Sequence, residues 1–243
     1  FCEKPFTTTA AEAAEAIALI KEHNTVVHMG YFQPFSAAMQ GVIQHVASGA
    51  LGTITHARYR NAHNAAYGRW FDSPELAWFH DPALAGGGAF MDMGTHAVHL
   101  MRTVLGPVEK VFATISNKSG IYTTVDDNGV AIFQFANGCV ATIEGSWVQT
   151  GGLSGIEVVG SDATLFQHPE HGLVTAKPRE EPVAVAPGEE KPTRVDRLVA
   201  AIEGKISKEE LDADLACAAD AVAIMEACYK SNETGGWVDV PSI

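Results

Sequence analysis

Cysteine is scarce in this sequence, and the few cysteines present argue against a cross-linked fold. They are Cys2, Cys139, Cys217 and Cys228, which are widely separated and form no C-x-x-C pair. Structural zinc sites and small disulfide-stabilised domains need closely spaced cysteines. The sequence therefore predicts free thiols in a reducing compartment, with the cytoplasm as the expected location.

Positive charge is also scarce, because 16 lysines and arginines stand against 29 aspartates and glutamates, giving a formal net charge of −13. Nucleic acids and anionic membranes are recognised through basic surfaces, so this balance argues against both as partners. Long apolar runs are missing too, and no stretch approaches the roughly 18 apolar residues of a membrane span. With 47% hydrophobic residues over 243 positions, the chain can still build a large core.

Residues 1–32 have the pattern of a helix followed by a buried strand. Thr9 and Glu12 have the spacing of a capping box at the start of the helical stretch TTTAAEAAEAIALIKEHN. The apolar run over 25–32, TVVHMGYF, predicts a buried strand. A helix and a strand in this order are typical of the end of a βαβ unit, so we expect the segment to close a domain that begins upstream.

The remaining residues predict a large sheet with helices before and after it. In chain order we expect helix 36–48, strand 53–60, an aromatic loop over 61–88, helix 90–105, strand 107–116, hairpins 130–147 and 155–167, an exposed edge and loop over 169–193, and helices 194–203 and 209–231. Because several strands follow one another, we expect an α+β fold with an open, mainly antiparallel sheet that helices cover on one face.

The stretch GGGAFMDMGTHAVHLM, residues 86–101, carries the candidate chemistry. On a helix Asp92, His96 and His99 follow one another at intervals of four and three residues, so they can share one face. Burial among their apolar neighbours would shift their pKa values, as in acid–base sites. The three glycines do not fit the G-x-G-x-x-G pattern, and they indicate a tight turn into the helix rather than a phosphate loop.

Two other functions are compatible with these residues. A metal-dependent hydrolase or isomerase could bind zinc or iron through Asp92, His96 and His99, with His63 or His80 from the long loop. A non-catalytic assembly domain could use the open face of the sheet as an oligomer interface. An ordinary helix with buried core histidines would also produce the same pattern.

Five short motifs follow one another along the chain. They are Glu3-Lys4-Pro5 before a helix, a strand ending in Gly30-Tyr31, a helix closing on SGALG, the spacing G-G-G-x-x-x-D-x-G-x-H, and a C-terminal YKSNETGGWV. In this order they resemble the glucose–fructose oxidoreductase and inositol dehydrogenase (Gfo/Idh/MocA) family, over nearly the whole chain. The resemblance implies that residues 1–32 are the C-terminal remnant of a dinucleotide-binding Rossmann domain. Residues 33–243 would then form the substrate-binding and oligomerisation domain.

The resemblance also implies a function. Family members transfer a hydride between a nicotinamide cofactor, NAD or NADP, and a secondary hydroxyl of a sugar, cyclitol or related polyol. Lys4, Asp92 and His96 would be catalytic: His96 as the base, Asp92 orienting its imidazole, and Lys4 stabilising the alkoxide. The implied cofactor contacts are Glu3, Lys4, Pro5 and Gln33, and the implied substrate contacts are Tyr31, Trp70 and His99.

Three further expectations follow from this assignment. The resemblance implies no metal, and the chain by itself, lacking most of the cofactor domain, is expected to be inactive. Helices on one face of the sheet would leave the other face to be covered, and the hairpin 130–147 offers two runs of apolar alternation for that purpose. We therefore expect a homodimer or homotetramer formed through that face.

Overall fold

A nine-stranded sheet organises the chain in the computed structural model, which describes residues 1–243. The strands are β1 Ile54–Ala62, β2 Val108–Ser116, β3 Asn128–Phe135, β4 Val140–Ser146, β5 Gly155–Gly160, β6 Thr164–His168, β7 Gly172–Ala176, β8 Val183–Ala184 and β9 Val238–Asp239. Their order across the sheet is β8-β7-β6-β5-β1-β4-β3-β2-β9. Only β1 and β4 pair in parallel, which confirms the open, mainly antiparallel sheet.

The helices confirm the expected α+β class. They are α1 Ala10–Glu22, α2 Ala37–Ala47, α3 Pro82–Ala85, α4 Thr95–Leu105, α5 Arg194–Ile202 and α6 Lys208–Thr234. Helix α6 packs on β2 and α4, and α4 packs on β1 and β4, so these helices cover one face of the sheet. None of the helices combines the length and the hydropathy that crossing a membrane requires.

The period-two alternation of the strands decides which sheet face is buried. In β3 the side chains of Ala131, Phe133 and Phe135 are at most 1% exposed and face the helices. Between them, Ile132 is half-buried and Gln134 is exposed on the other face. Successive side chains of a strand point to opposite faces, so one face forms the core and the other stays open.

Helix α1 begins where the sequence pattern places it. The Thr9 side chain accepts a hydrogen bond from Glu12 N, and the Glu12 carboxylate accepts one from Thr9 N. This reciprocal capping box satisfies two backbone donors that the first turn leaves without partners. The helix then runs to Glu22, two residues before the end of the predicted helical stretch at Asn24.

The predicted strand over 25–32 is wrong. The segment forms only an isolated parallel bridge between Cys2 and Met29, in which Cys2 N donates to His28 O and Gly30 N donates to Cys2 O. A ladder needs a neighbouring strand over several residues, and a single residue is all that lies alongside. Burial is found only in the second half of the run, where His28, Met29 and Tyr31 are each 1% exposed, whereas Val26 and Phe32 are 40% and 42% exposed.

The region 169–193 is more ordered than expected. It contains β7, whose Leu173 and Val174 are buried, and the two-residue strand β8 at the edge of the sheet. The short LVTA segment was not predicted as a strand because many proline, glutamate and lysine residues surround it. Pairing with β6 stabilises it. The expected exposed edge is present, and it is β8.

Candidate active site

The segment with the candidate chemistry forms a π-helical turn, Phe90–Gly94, that continues directly into α4. Its start is held by Asp126, whose carboxylate accepts hydrogen bonds from Phe90 N at 2.7 Å and Gly88 N at 2.9 Å. Single π-helical turns inside longer helices are frequent at functional sites. The helix expected over 90–105 is therefore confirmed, with a wider first turn that carries Asp92.

The three glycines before this turn are needed for close packing. Gly86 has a φ of +72°, a left-handed conformation that glycine adopts without strain, while Gly87 and Gly88 have ordinary φ values. A Cβ atom at Gly88 would overlap the backbone carbonyl of Asp126. The turn into the helix is tight, as expected, and the chain also approaches Asp126 too closely for any side chain.

We expect Gly88→Ala to destabilise the protein by at least roughly 1–3 kcal/mol, because an added methyl in a well-packed site forces the backbone to shift. Chemical denaturation measures the change in the free energy of unfolding. Gly151→Ala is the matched control, since a Cβ there would contact nothing within 4 Å. Equal stability of the two variants would contradict the role of Gly88.

Lys4 and Asp92 form an ion pair at the start of the helix. Lys4 Nζ lies 2.5 Å from Asp92 Oδ1 and 3.0 Å from the Asp92 carbonyl oxygen. The second carboxylate oxygen, Oδ2, accepts a hydrogen bond from the indole of Trp147 at 2.9 Å. Burial alone would raise the pKa of Asp92, but the Lys4 charge and the hydrogen bonds from Lys4 and Trp147 outweigh it and hold that pKa below its usual range.

His96 lies one turn further along, in an apolar environment. Its ring meets the rings of Tyr31 and Phe32 edge-on, with centroids 5.9 Å and 5.4 Å away, and only 8% of the residue is exposed. Burial, and to a smaller extent the charge of Lys4, lowers the pKa of His96 to about 3. The imidazole is therefore neutral near pH 7, and burial makes it a weaker base than a solvated imidazole.

The expected pairing between Asp92 and His96 is not present. Both oxygens of Asp92 are bound to Lys4 and Trp147, while His96 Nδ1 is buried without a hydrogen-bond partner. The carboxylate therefore orients the ammonium of Lys4 rather than the imidazole.

Tyr31 and His99 form a buried stacked pair, and the Tyr31 ring also contacts His96. Their rings are stacked with centroids 4.0 Å apart and an interplanar angle of 3°, and the Tyr31 hydroxyl is 2.7 Å from Thr95 Oγ1. Tyr31 is 1% exposed and His99 is 2% exposed, and burial lowers the pKa of His99 to about 4. Neither side chain reaches the cleft beside Lys4.

A cleft of about 280 Å³ opens beside the ion pair. One wall comes from the N-terminal segment and the other from the loop between β1 and the π-helical turn. The residues that line it include Lys4, Pro5, Phe6, Trp78, Phe79 and Asp92. A larger cavity of about 330 Å³ lies on the open face of the sheet beside Arg58 and includes none of the candidate residues.

Three other candidate residues lie around this centre. Gln33 Nε2 is 3.4 Å from Asn61 Oδ1, and Gln33 Oε1 is buried without a partner. Trp70 is 49% exposed and stacks on His63 with ring centroids 4.8 Å apart. Glu3 is exposed and packs against Gly30, where a Cβ atom would lie 2.6 Å from the Glu3 carboxylate.

The described residues include no group of three histidine, cysteine, aspartate or glutamate side chains arranged to bind a metal ion. Asp92 is occupied by Lys4 and Trp147, and the ring of His99 is stacked on Tyr31. The geometry therefore gives no support to a hydrolase or isomerase that binds its metal through Asp92, His96 and His99.

A sheet of this order, with a lysine–aspartate pair at a cleft and a buried neutral histidine one helical turn away, defines an α+β domain with the groups of an acid–base site. The family model described as the GFO/IDH/MocA C-terminal domain matches residues 39–166. That span is more than half of the 243 residues. The chain belongs to this family, which confirms the resemblance carried by its motifs.

Curated relatives are named as oxidoreductases. Levoglucosan dehydrogenase of Pseudarthrobacter phenanthrenivorans is 26% identical over an alignment of 165 positions, which covers 59% of this chain and 42% of the relative. The 1,5-anhydro-D-fructose reductase of Ensifer adhaerens is 25% identical over 179 residues, 73% of this chain and 51% of the relative. The chain thus spans about half the length, or less, of these relatives.

Solved structures with the same fold contain nicotinamide cofactors. Levoglucosan dehydrogenase in complex with NADH has a TM-score of 0.80 and 23% identity, and covers 100% of this chain and 73% of its own. An inositol dehydrogenase homolog from Azotobacter vinelandii, complexed with NAD+, has a TM-score of 0.81 and 22% identity, over 98% of this chain and 71% of its own. At these identities the likeness confirms the fold.

Proposed function

We propose that this chain is part of an NAD(P)-dependent oxidoreductase that transfers a hydride between the cofactor and a secondary hydroxyl of a sugar, cyclitol or related polyol. The observation that carries the proposal is the Lys4–Asp92 ion pair at the cleft, with the buried, neutral His96 one helical turn from Asp92. Membership of the family and relatives named as sugar dehydrogenases support the substrate class.

Two observations support the proposed division of the chain. Residues 1–32 contribute α1 and one isolated bridge, but no strand of the sheet, and the family match begins at residue 39. We assign 1–32 to a dinucleotide-binding domain and 33–243 to a substrate-binding and oligomerisation domain.

The residues assigned to the cofactor fit a nicotinamide in one respect. Gln33 Oε1 is a buried acceptor without a partner, and the carboxamide of a nicotinamide carries an N–H donor. Glu3, Lys4 and Pro5 complete the proposed cofactor contacts. When bound, the nicotinamide supplies the hydride acceptor, and the protein supplies orientation and electrostatics. Solved neighbours complexed with NADH or NAD+ support a nicotinamide cofactor, NAD or NADP.

In this proposal, residues of the chain accept the proton of the substrate hydroxyl and stabilise the negative charge on the substrate oxygen. His96 is neutral and accepts the proton of the substrate hydroxyl. The Lys4 ammonium stabilises the negative charge that grows on the substrate oxygen as the proton leaves. Asp92 holds that ammonium at the cleft. Trp70, which is half exposed, is the proposed substrate contact at the surface, and Tyr31 and His99 support His96 from below.

Spectrophotometry of the complete protein tests the proposal. Myo-inositol, D-glucose, D-xylose and levoglucosan are supplied with NAD+ or NADP+, and absorbance at the reduced nicotinamide band is followed. We expect reduction of a cofactor by at least one neutral polyol, without loss of rate after chelation of metals. No reduction with any of them, together with no binding of NADH, would contradict it.

The proposed partners are a sugar or polyol and further copies of the same chain. We assign the protein to the cytoplasm because its four cysteines are all free, as expected in a reducing compartment. The net charge of −13 makes nucleic acids and anionic membranes unsuitable partners.

The open face of the sheet is the proposed oligomer interface. Phe112, Ile132 and Thr142 are register partners on adjacent strands of this face, and none of the helices covers them. We expect light scattering to give the mass of a dimer or tetramer, and Ile132→Glu to reduce it to the monomer. Val199→Glu, at a 45% exposed position on α5, is the control that leaves the assembly intact. A monomeric wild type at all concentrations would refute the interface.

A further inference from the structure

Trp147 follows β4 and points its indole at the ion pair. Its Nε1 donates to Asp92 Oδ2 at 2.9 Å, while Lys4 Nζ donates to Asp92 Oδ1 at 2.5 Å. Each oxygen of the carboxylate has its own donor. The carboxylate cannot rotate without losing one of the two bonds, so the indole fixes the direction in which Oδ1 meets Lys4.

The indole is held in place independently of Asp92. Trp147 is 0% exposed, and its ring packs on Phe71 with centroids 4.5 Å apart. Its backbone N–H donates to Asp127 O at 2.9 Å, and its carbonyl accepts from Ala66 N at 3.0 Å. Loss of Asp92 would therefore leave the indole where it is, whereas loss of the indole would leave Asp92 Oδ2 buried without a donor.

The same ring connects the ion pair to the cleft wall. Phe71, which touches Trp147, stacks on Phe79 with centroids 4.8 Å apart, and Phe79 lines the cleft. Trp147 therefore lies between the loop that shapes the cleft and the charges that face it.

We propose that Trp147 is a positioning residue whose indole N–H orients Asp92 and, through it, sets the place of the Lys4 ammonium at the cleft. The kinetic consequence deepens the proposed function and rests on it. The hydrogen bond itself can be tested on the protein without any substrate.

The indole N–H signals of ¹⁵N-labelled protein provide that test. The chain has four tryptophans, of which Trp70, Trp78 and Trp237 are 49%, 46% and 52% exposed. We expect the Trp147 signal, identified by its loss in Trp147→Phe, to lie downfield of the others and to exchange slowly with water. It should also move in Asp92→Asn, while the Trp237 signal, identified in Trp237→Phe, stays in place.

Kinetics of the complete protein provide the second test. Trp147→Phe keeps the aromatic packing and removes the donor, so we expect kcat/KM to fall about ten- to a hundredfold. The pKa of Asp92 rises when a hydrogen bond that lowers it is lost, and the acid limb of the pH profile moves to higher pH. The charged and titratable groups facing Asp92, namely Lys4, His96 and His63, are unchanged in this variant. Trp237→Phe should alter neither kcat/KM nor the acid limb of the pH profile.

Two outcomes would overturn the role of Trp147. One is an indole signal that does not respond to Asp92→Asn, which can be read even if Trp147→Phe does not fold. The other is a Trp147→Phe protein with lower thermal stability but an unshifted pH profile, which is the result of a purely structural role. A wild-type protein that turns over no polyol with either cofactor would instead contradict the proposed function, and the NMR test of Trp147 would still decide the hydrogen bond.

Discussion

Replacing His96 with glutamine should lower the turnover of the complete protein by roughly two to four orders of magnitude, the usual contribution of a general base. Glutamine has nearly the length of the imidazole but cannot accept the proton at neutral pH. The affinity for the cofactor should stay close to that of the wild type, because the imidazole is proposed to face the substrate. Steady-state kinetics and NADH fluorescence titration measure the two quantities separately.

His99→Phe is the matched control for His96→Gln. A phenyl ring at this position keeps the stack on Tyr31, whose centroid lies 4.0 Å from that of His99, and removes both ring nitrogens. We expect activity within a few-fold of the wild type. A metal site would behave differently, since both variants would then lose activity and bound metal together. Two equally inactive, metal-depleted variants would therefore refute the oxidoreductase proposal.

Replacing Lys4 with methionine should lower turnover by roughly two to three orders of magnitude, because it removes a charge that stabilises the developing alkoxide. The same change should raise the pKa of His96 from about 3, since the charge of Lys4 contributes to lowering it. Burial, the larger cause, remains, so the pKa should stay below its ordinary value of 6.5. The His96 ring then begins to take up a proton at a higher pH than in the wild type.

The sign of the pH effect follows from these shifts. Protonated His96 cannot act as the base, so the acid limb of kcat/KM in Lys4→Met moves to higher pH. A titration of the His96 ring proton by NMR measures the same pKa without a substrate. Lys4→Arg keeps the charge beside Asp92 and should retain the wild-type limb. An unchanged His96 pKa in Lys4→Met would show that the ammonium does not act on the imidazole.

Local features of the chain could be predicted because neighbouring residues decide them. The capping box of Thr9 and Glu12, the helix over 90–105 and the hairpin 130–147 all depend on contacts within a few positions. The prediction of a strand over 25–32 was wrong because strand formation depends on residues distant in the sequence. A strand exists only through its neighbours, and the apolar run carries no information on whether one lies alongside.

The candidate site was only partly visible in the sequence. Lys4, Asp92 and His96 were found through the family motifs, but the partner of Asp92 was taken to be His96. Residues one turn apart on a helix can share a face without touching, and the buried carboxylate instead binds the strongest donors within reach. No pattern of residues indicated the indole of Trp147, because it lies 55 positions from Asp92 along the chain.

The sequence by itself determined the α+β class, the alternation that separates the two sheet faces, and the residues able to do acid–base chemistry. These features depend on the composition of the chain and on the short spacing of its apolar residues, and both can be read directly from the sequence. The tertiary structure alone decided that Lys4 meets Asp92 across 88 positions, that Asp126 holds the start of the π-helical turn, and that His96 is neutral. Charge pairing and burial depend on distances through space, and only packing of the sheet, the helices and the long loop sets those distances.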